Sequence, residues 1–92
     1  MNVSEINEVM GKNLYRIRKV RGLTQKTLGS KVGVGTATIG NYERGIRYIP
    51  EYLIHGLSLA LNVPEQFLVS ELPDDIKIVI SLTAAQMSYC EK

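Results

Sequence analysis

The sequence predicts an all-α fold: five helices in chain order, followed by a short C-terminal extension. Three observations carry this. Apolar residues recur three or four apart, as in Ile6, Met10, Leu14 and Ile17 and again in Leu53, Leu57, Ala60 and Leu61, the spacing that lines one helix face. Gly22, Gly33, Gly45, Pro50 and Pro64 punctuate these stretches where helices start or stop. Finally, 92 residues with a 45% hydrophobic content suit one small domain around a single core.

Each element follows from its own residues. The first helix occupies part of residues 5–21, with Ser4 as its cap; Gly11 weakens its middle and Gly22 stops it. The second spans residues 25–32, capped by the Thr24 hydroxyl, and Gly33 supplies the left-handed residue that ends it. The third spans residues 36–43, with Gly35 as N-cap and Gly45 beyond its end. Residues 45–49 form a loop, because Ile49 precedes a proline. Pro50 suits the first turn of the fourth helix, which ends near Asn62; Pro64 opens the fifth, with Phe67 and Leu68 inward.

Residues 1–71 make up the domain and residues 72–92 the extension. In the extension, Asp74 and Asp75 follow Pro73 in a favourable helix-start order, and Thr83 to Gln86 has the capping-box pattern of a second short helix. Residues 76–80 are rich in β-branched side chains, which leaves a strand open there.

Residues 24–45, TQKTLGSKVGVGTATIGNYERG, hold the densest pattern. Leu28 and Val32 share one helix face, and Ile39 and Tyr42 share another. The two faces meet only if the backbones come close, which a side chain larger than Ala at position 29 would oppose. With Gly33 at the reversal, this is the spacing of a DNA-reading helix-turn-helix. The set LxxIRxxRGLTQ, GVG, IxxYERG and LALNVP, over roughly residues 11–69, resembles the phage-repressor and Cro class of helix-turn-helix domains. The fold implied is the lambda-repressor-like one.

Helix geometry and this resemblance together nominate the interface. With Ile39 and Tyr42 inward, the opposite face of the third helix offers Thr36, Ala37, Gly40 and Asn41 to a major groove. Positions matching 36, 37 and 41 read bases in the family. Asn41 can pair with adenine, Thr36 can bond either base type, and Ala37 or the Thr36 methyl can meet a thymine methyl. Gln25, at the start of the second helix, is placed to hold a phosphate, as the matching Gln does in the family. Lys26, Arg44 and Arg47 lie near the flanking phosphates, and the residue matching Arg47 can also reach into the groove. Tyr48 either joins them or covers the core. The resemblance implies that Arg18 and Glu43 pair to tie the third helix to the first, which removes Arg18 from the DNA contacts.

Charge agrees with this placement. Residues 1–50 carry nine Lys and Arg against three acids, a net +6, whereas residues 51–92 carry two Lys against six acids, a net −4. A basic half containing the motif suits a polyanionic partner. No apolar run approaches the roughly 18 residues of a membrane span, and MNVSEINEVM lacks the regions of a signal peptide, so a cytoplasmic location is expected. The lone Cys90 reads as a small apolar residue on a helix face, and the sole histidine, His55, as a helix-surface residue. No nucleophile-base pair, carboxylate dyad, phosphate loop or metal-ligand spacing is present, so neither enzymatic activity nor a cofactor or metal is expected.

The expected function is that of a transcriptional regulator of the repressor kind, binding a palindromic double-stranded DNA operator as a homodimer. The apolar residues Ile76, Val79, Ile80 and Met87 are expected to dimerise or else to pack on the domain's own last helix. The rival reading is an antitoxin or anti-regulator that holds a protein partner, such as a toxin, with its acidic half.

Overall fold

The computed structural model describes residues 2–73, in which α1 (Val3–Val20), α2 (Gln25–Val32), α3 (Thr36–Glu43), α4 (Glu51–Leu61) and α5 (Gln66–Val69) follow one another without a strand. The expectations for residues 74–92, including the capping box, the strand alternative and Cys90, lie outside the described residues. The elements match those expected from the sequence to within a few residues, because the termini are set by local chemistry. Thr24 Oγ1 accepts from the Thr27 N–H at 3.0 Å, and Gly33 adopts φ +80° as the C-cap of α2, a left-handed conformation that costs glycine little.

The start of α1 differs from expectation. Asn2, not Ser4, is the cap: its Oδ1 accepts from the Glu5 N–H at 2.8 Å. Asparagine caps as well as serine does, and the earlier start adds most of another turn. Pro50 likewise lies one residue before α4 as its N-cap rather than inside the first turn.

All five helices contribute to one core. Leu14 and Ile17 from α1, Leu28 from α2, Ile39 from α3, Leu57 and Leu61 from α4, and Leu68 from α5 are fully buried, and Phe67 and Leu72 pack at the margin. The stripes read from the sequence are therefore the packed faces. Helix α3 lies against both α1 and α2, while α1 also packs on α5 and α2 on α4.

Two close approaches decide this arrangement. At Gly11, a methyl group would overlap the carbonyl oxygen of Tyr42 and come within 2.9 Å of that of Glu43. Position 11 is thus where α1 crosses the end of α3 backbone to backbone. It is a packing requirement, where the sequence alone suggested a weak point in a helix. At Gly29, a methyl would lie 2.6 Å from the Val34 carbonyl oxygen. The tolerance is tighter than expected, since even Ala does not fit, and the crowding group is the turn between α2 and α3.

Polar side chains of α1 bind these parts together. Buried Asn13 donates through Nδ2 to the Leu68 and Ser70 carbonyls, Arg16 donates to the Pro73 carbonyl, and Arg21 donates to those of Leu61 and Asn62. Arg21 therefore caps the C-terminus of α4, whose last carbonyls have no partner within the helix; partial burial lowers its pKa. None of the described helices is long and apolar enough to cross a membrane.

Candidate nucleic-acid interface

The site is built on the side of α3 turned away from Ile39 and Tyr42, together with the start of α2. Thr36 and Ala37 are exposed in the first turn of α3, Asn41 is half-exposed one turn later, and Arg44 and Arg47 are exposed at and beyond its end. Lys26 is exposed at the start of α2, and Gln25 beside it is half-buried. Of the eight nominated residues, Gln25, Lys26 and Thr36 line one crevice, Gln25 and Arg44 meet over Gly40, Arg44 bonds Asn41, and Ala37 and Arg47 are exposed. Gly40 is the exception in character: it is buried, with Gln25 and Arg44 lying over it, so that a methyl there would sit 3.5 Å from Gln25 Nε2 and 3.8 Å from Arg44 Nη1. It is the floor of the surface, where open exposure was expected.

The floor is braced from below by an ion pair. Arg18 Nε meets Glu43 Oε2 at 2.5 Å, and Arg18 Nη2 donates to Glu43 Oε1 at 3.1 Å; the two side chains keep only 8% and 5% of their exposure. Two parallel N–H···O bonds fix both partners in orientation as well as distance. Arg18 also donates to the Leu23 carbonyl at 2.8 Å, and its guanidinium lies 5.4 Å from the Tyr15 ring centroid. Helix α3 is thereby tied to α1 and to the segment leading into α2, as the expected pairing requires.

Glu43 holds a second partner that the sequence did not suggest. Gln25 Nε2 donates to Glu43 Oε1 at 2.9 Å. A carboxylate only accepts, so the amide nitrogen faces it, and one N–H of that nitrogen remains for an outside acceptor. The start of α2 is therefore locked to the end of α3 through a carboxylate shared by Arg18 and Gln25.

Electrostatics follow from this sharing. Within residues 9–50 Glu43 is the sole carboxylate, set among nine Lys and Arg, and its charge is matched by Arg18. The nine cations are not equivalent. Arg16, Arg18 and Arg21 are turned to carbonyls and to Glu43, which withdraws them from the basic face that composition suggested. Lys12, Lys19, Lys26, Lys31, Arg44 and Arg47 remain exposed. An open crevice of about 540 Å³ runs along the start of α2, lined by Lys19, Thr24, Gln25, Lys26 and Thr36. Lys19 was missed in the sequence because its place beside α2 depends on how α1 packs. Tyr48 is exposed and lines an apolar groove with Ile6, Met10 and Val69, so it covers neither the core nor the crevice.

Known proteins share this fold. The chain is 31% identical to the restriction-modification controller protein C.AhdI from Aeromonas hydrophila, over 67% of this chain and 94% of that one, with a TM-score of 0.65. The clp gene regulator ClgR from Corynebacterium glutamicum (22% identity, 94% of this chain and 87% of that one, TM-score 0.67) and the hypothetical transcription factor NHTF from Neisseria (21%, 87% and 90%, 0.68) share the fold. HTH-type transcriptional regulators of Sinorhizobium medicae and Rhizobium meliloti are each 29% identical over 66 residues, 72% of this chain. The chain spans 48% of the length of these curated relatives. A helix-turn-helix family model matches residues 14–68. With its turn, its paired Arg18 and Glu43 and its five-helix frame, this chain belongs to the helix-turn-helix family of the Cro and C1 type.

Proposed function

We propose that the protein is a sequence-specific double-stranded DNA-binding regulator, a repressor of the Cro and C1 kind, that sets α3 into a major groove. The observation that carries this is the outer face of α2 and α3, where Thr36, Ala37 and Asn41 stand between exposed Lys26, Arg44 and Arg47 with no uncompensated acid among them. Thr36, Ala37 and Asn41 address base edges. Gln25, Lys26, Lys19 and Arg47 hold phosphates, which fix position without reading sequence. Arg44 lies at the boundary of the two sets.

Because each domain offers few base-reading groups, a homodimer on an inverted repeat supports tight specific binding, with half-sites about 34 Å apart, one duplex turn. The apolar segment after Pro73 is the surface we hold responsible for pairing. Such a regulator works in the cytoplasm beside its DNA and needs neither cofactor nor metal. A second reading has one feature in its favour. The groove lined by Ile6, Met10, Tyr48, Ile54 and Val69, about 430 Å³, is apolar and open, as a protein partner such as a toxin would require.

Selection of duplexes from a random pool by the purified chain, followed by titration of selected and scrambled duplexes at several salt concentrations, tests both readings. The regulator reading expects a dimer in sedimentation, an inverted repeat in the selected pool, and affinity that falls steeply with salt. Equal affinity for selected and scrambled duplexes refutes it. A monomer that binds no duplex favours the partner reading.

A further inference from the structure

We infer that Arg44 is a specificity-positioning residue: it sets the Asn41 amide so that the recognition helix reads an acceptor-only base edge, guanine over adenine. The inference rests on the placement of α3 in the major groove and refines it. Arg44 Nη2 donates to Asn41 Oδ1 at 2.6 Å. A guanidinium carries donors only, so the amide atom facing it is the oxygen, and the orientation of Asn41 is set without ambiguity. The bond is charge-assisted and short, the stronger class of hydrogen bond. Arg44 lies back over Gly40, with Nη1 3.8 Å from where a methyl would stand, and this brings the guanidinium alongside Asn41.

The consequence for reading follows from the base edges. Asparagine recognises adenine with both amide atoms, the oxygen accepting from N6–H and the nitrogen donating to N7. With Arg44 on one of its two lone pairs, the oxygen offers adenine's amino group only the other, beside a cationic guanidinium that repels the positive end of a second donor. Guanine presents N7 and O6, both acceptors, and takes the outward Nδ2–H groups without that conflict. Arg44 thus acts on the choice of base through Asn41, beside any contact of its own with a phosphate.

The test uses the full chain and the duplexes selected from a random pool. Asn41→Ala identifies the base pair at which preference is lost, and four duplexes differing only at that pair are then titrated with wild type, Arg44→Ala, Arg44→Lys and the Asn41→Ala/Arg44→Ala double variant. Wild type is expected to favour guanine. Arg44→Ala should move the guanine-to-adenine affinity ratio toward adenine by about fivefold or more, the lower end of what one side-chain contact to a base discriminates. Arg44→Lys, which keeps a donor for Asn41, should restore most of the ratio, and in the Asn41→Ala background Arg44→Ala should lower affinity without altering it. A uniform loss across all four duplexes overturns the positioning role while leaving α3 as the reading element. So does a shift that persists without Asn41, because Arg44 then reads the base itself, and so does a wild type that favours adenine. If Asn41→Ala erases preference at no base pair, the inference falls together with the placement of α3.

Discussion

Gly11 of α1 packs against one side of the eight-residue helix α3 and Gly40 belongs to the other side of α3, and the two surroundings could hardly differ more. At Gly11 the neighbours are backbone carbonyls of Tyr42 and Glu43, which cannot step aside; at Gly40 they are the tips of Gln25 and Arg44, at ordinary contact distance. The inner seam of α3 is therefore specified by rigid main chain and sealed by the buried Arg18–Glu43 pair. Its outer face is assembled from long side chains laid over one another. Stability is concentrated on one side of the helix and the proposed recognition chemistry on the other, so substitutions should separate the two.

Breaking the seam should give the largest effects. Arg18→Ala leaves Glu43 charged and enclosed with only Gln25 for company, and is expected to cost about 3–5 kcal/mol, read as a lowered midpoint in urea with unchanged slope. Gly11→Ala should cost about 2–3 kcal/mol, the upper part of the roughly 1–3 kcal/mol range for forcing an extra carbon into a packed site, and should lower the thermal midpoint. If Gly11→Ala were neutral or stabilising, α1 and α3 would not cross backbone to backbone, and the contrast between the two faces would fail.

The outer face should respond in binding and hardly in stability. Lys26→Ala and Arg47→Ala should each leave the unfolding midpoint within about 0.5 kcal/mol. Each should also reduce the slope of log affinity against log salt by about 1, with the same loss on selected and scrambled duplexes. A change in base preference from Lys26→Ala would place it among the readers instead. The smallest expected effect has the opposite sign to the seam. Gly40→Ala should stabilise the unbound fold by up to about 1 kcal/mol through helix propensity, because the space for a methyl exists; calorimetry of Gly40→Ala beside Gly11→Ala is the direct comparison.

Legibility in the sequence divides along the same line. The helix boundaries, the stripes from Leu14 to Leu68 and the turn at Gly33 were readable, because capping, periodicity and left-handed backbone depend on residues close together in the chain. The Arg18–Glu43 pairing came through the family pattern, while Gln25 as the second partner of that carboxylate did not, since it joins residues 18 apart through a crossing of helices. The outward face of α3 was legible for the same local reason: once Ile39 and Tyr42 face inward, the helical repeat places Thr36, Ala37 and Asn41 outside.

By itself, then, the sequence determined the number and order of the helices, their buried faces, the helix-turn-helix spacing and the basic character of one half. Only the tertiary structure decided which cations belong to the surface and which glycines are indispensable. Arg16, Arg18 and Arg21 look no different in composition from Lys26 or Arg47, yet packing turns them to carbonyls and to Glu43. Gly11 and Gly40 are both glycines inside helices, yet one faces main chain and the other flexible side-chain tips. Short-range periodicity sets which face of a helix is apolar, but what a side chain or a missing side chain meets is set by elements far away in the chain, brought together only by the fold.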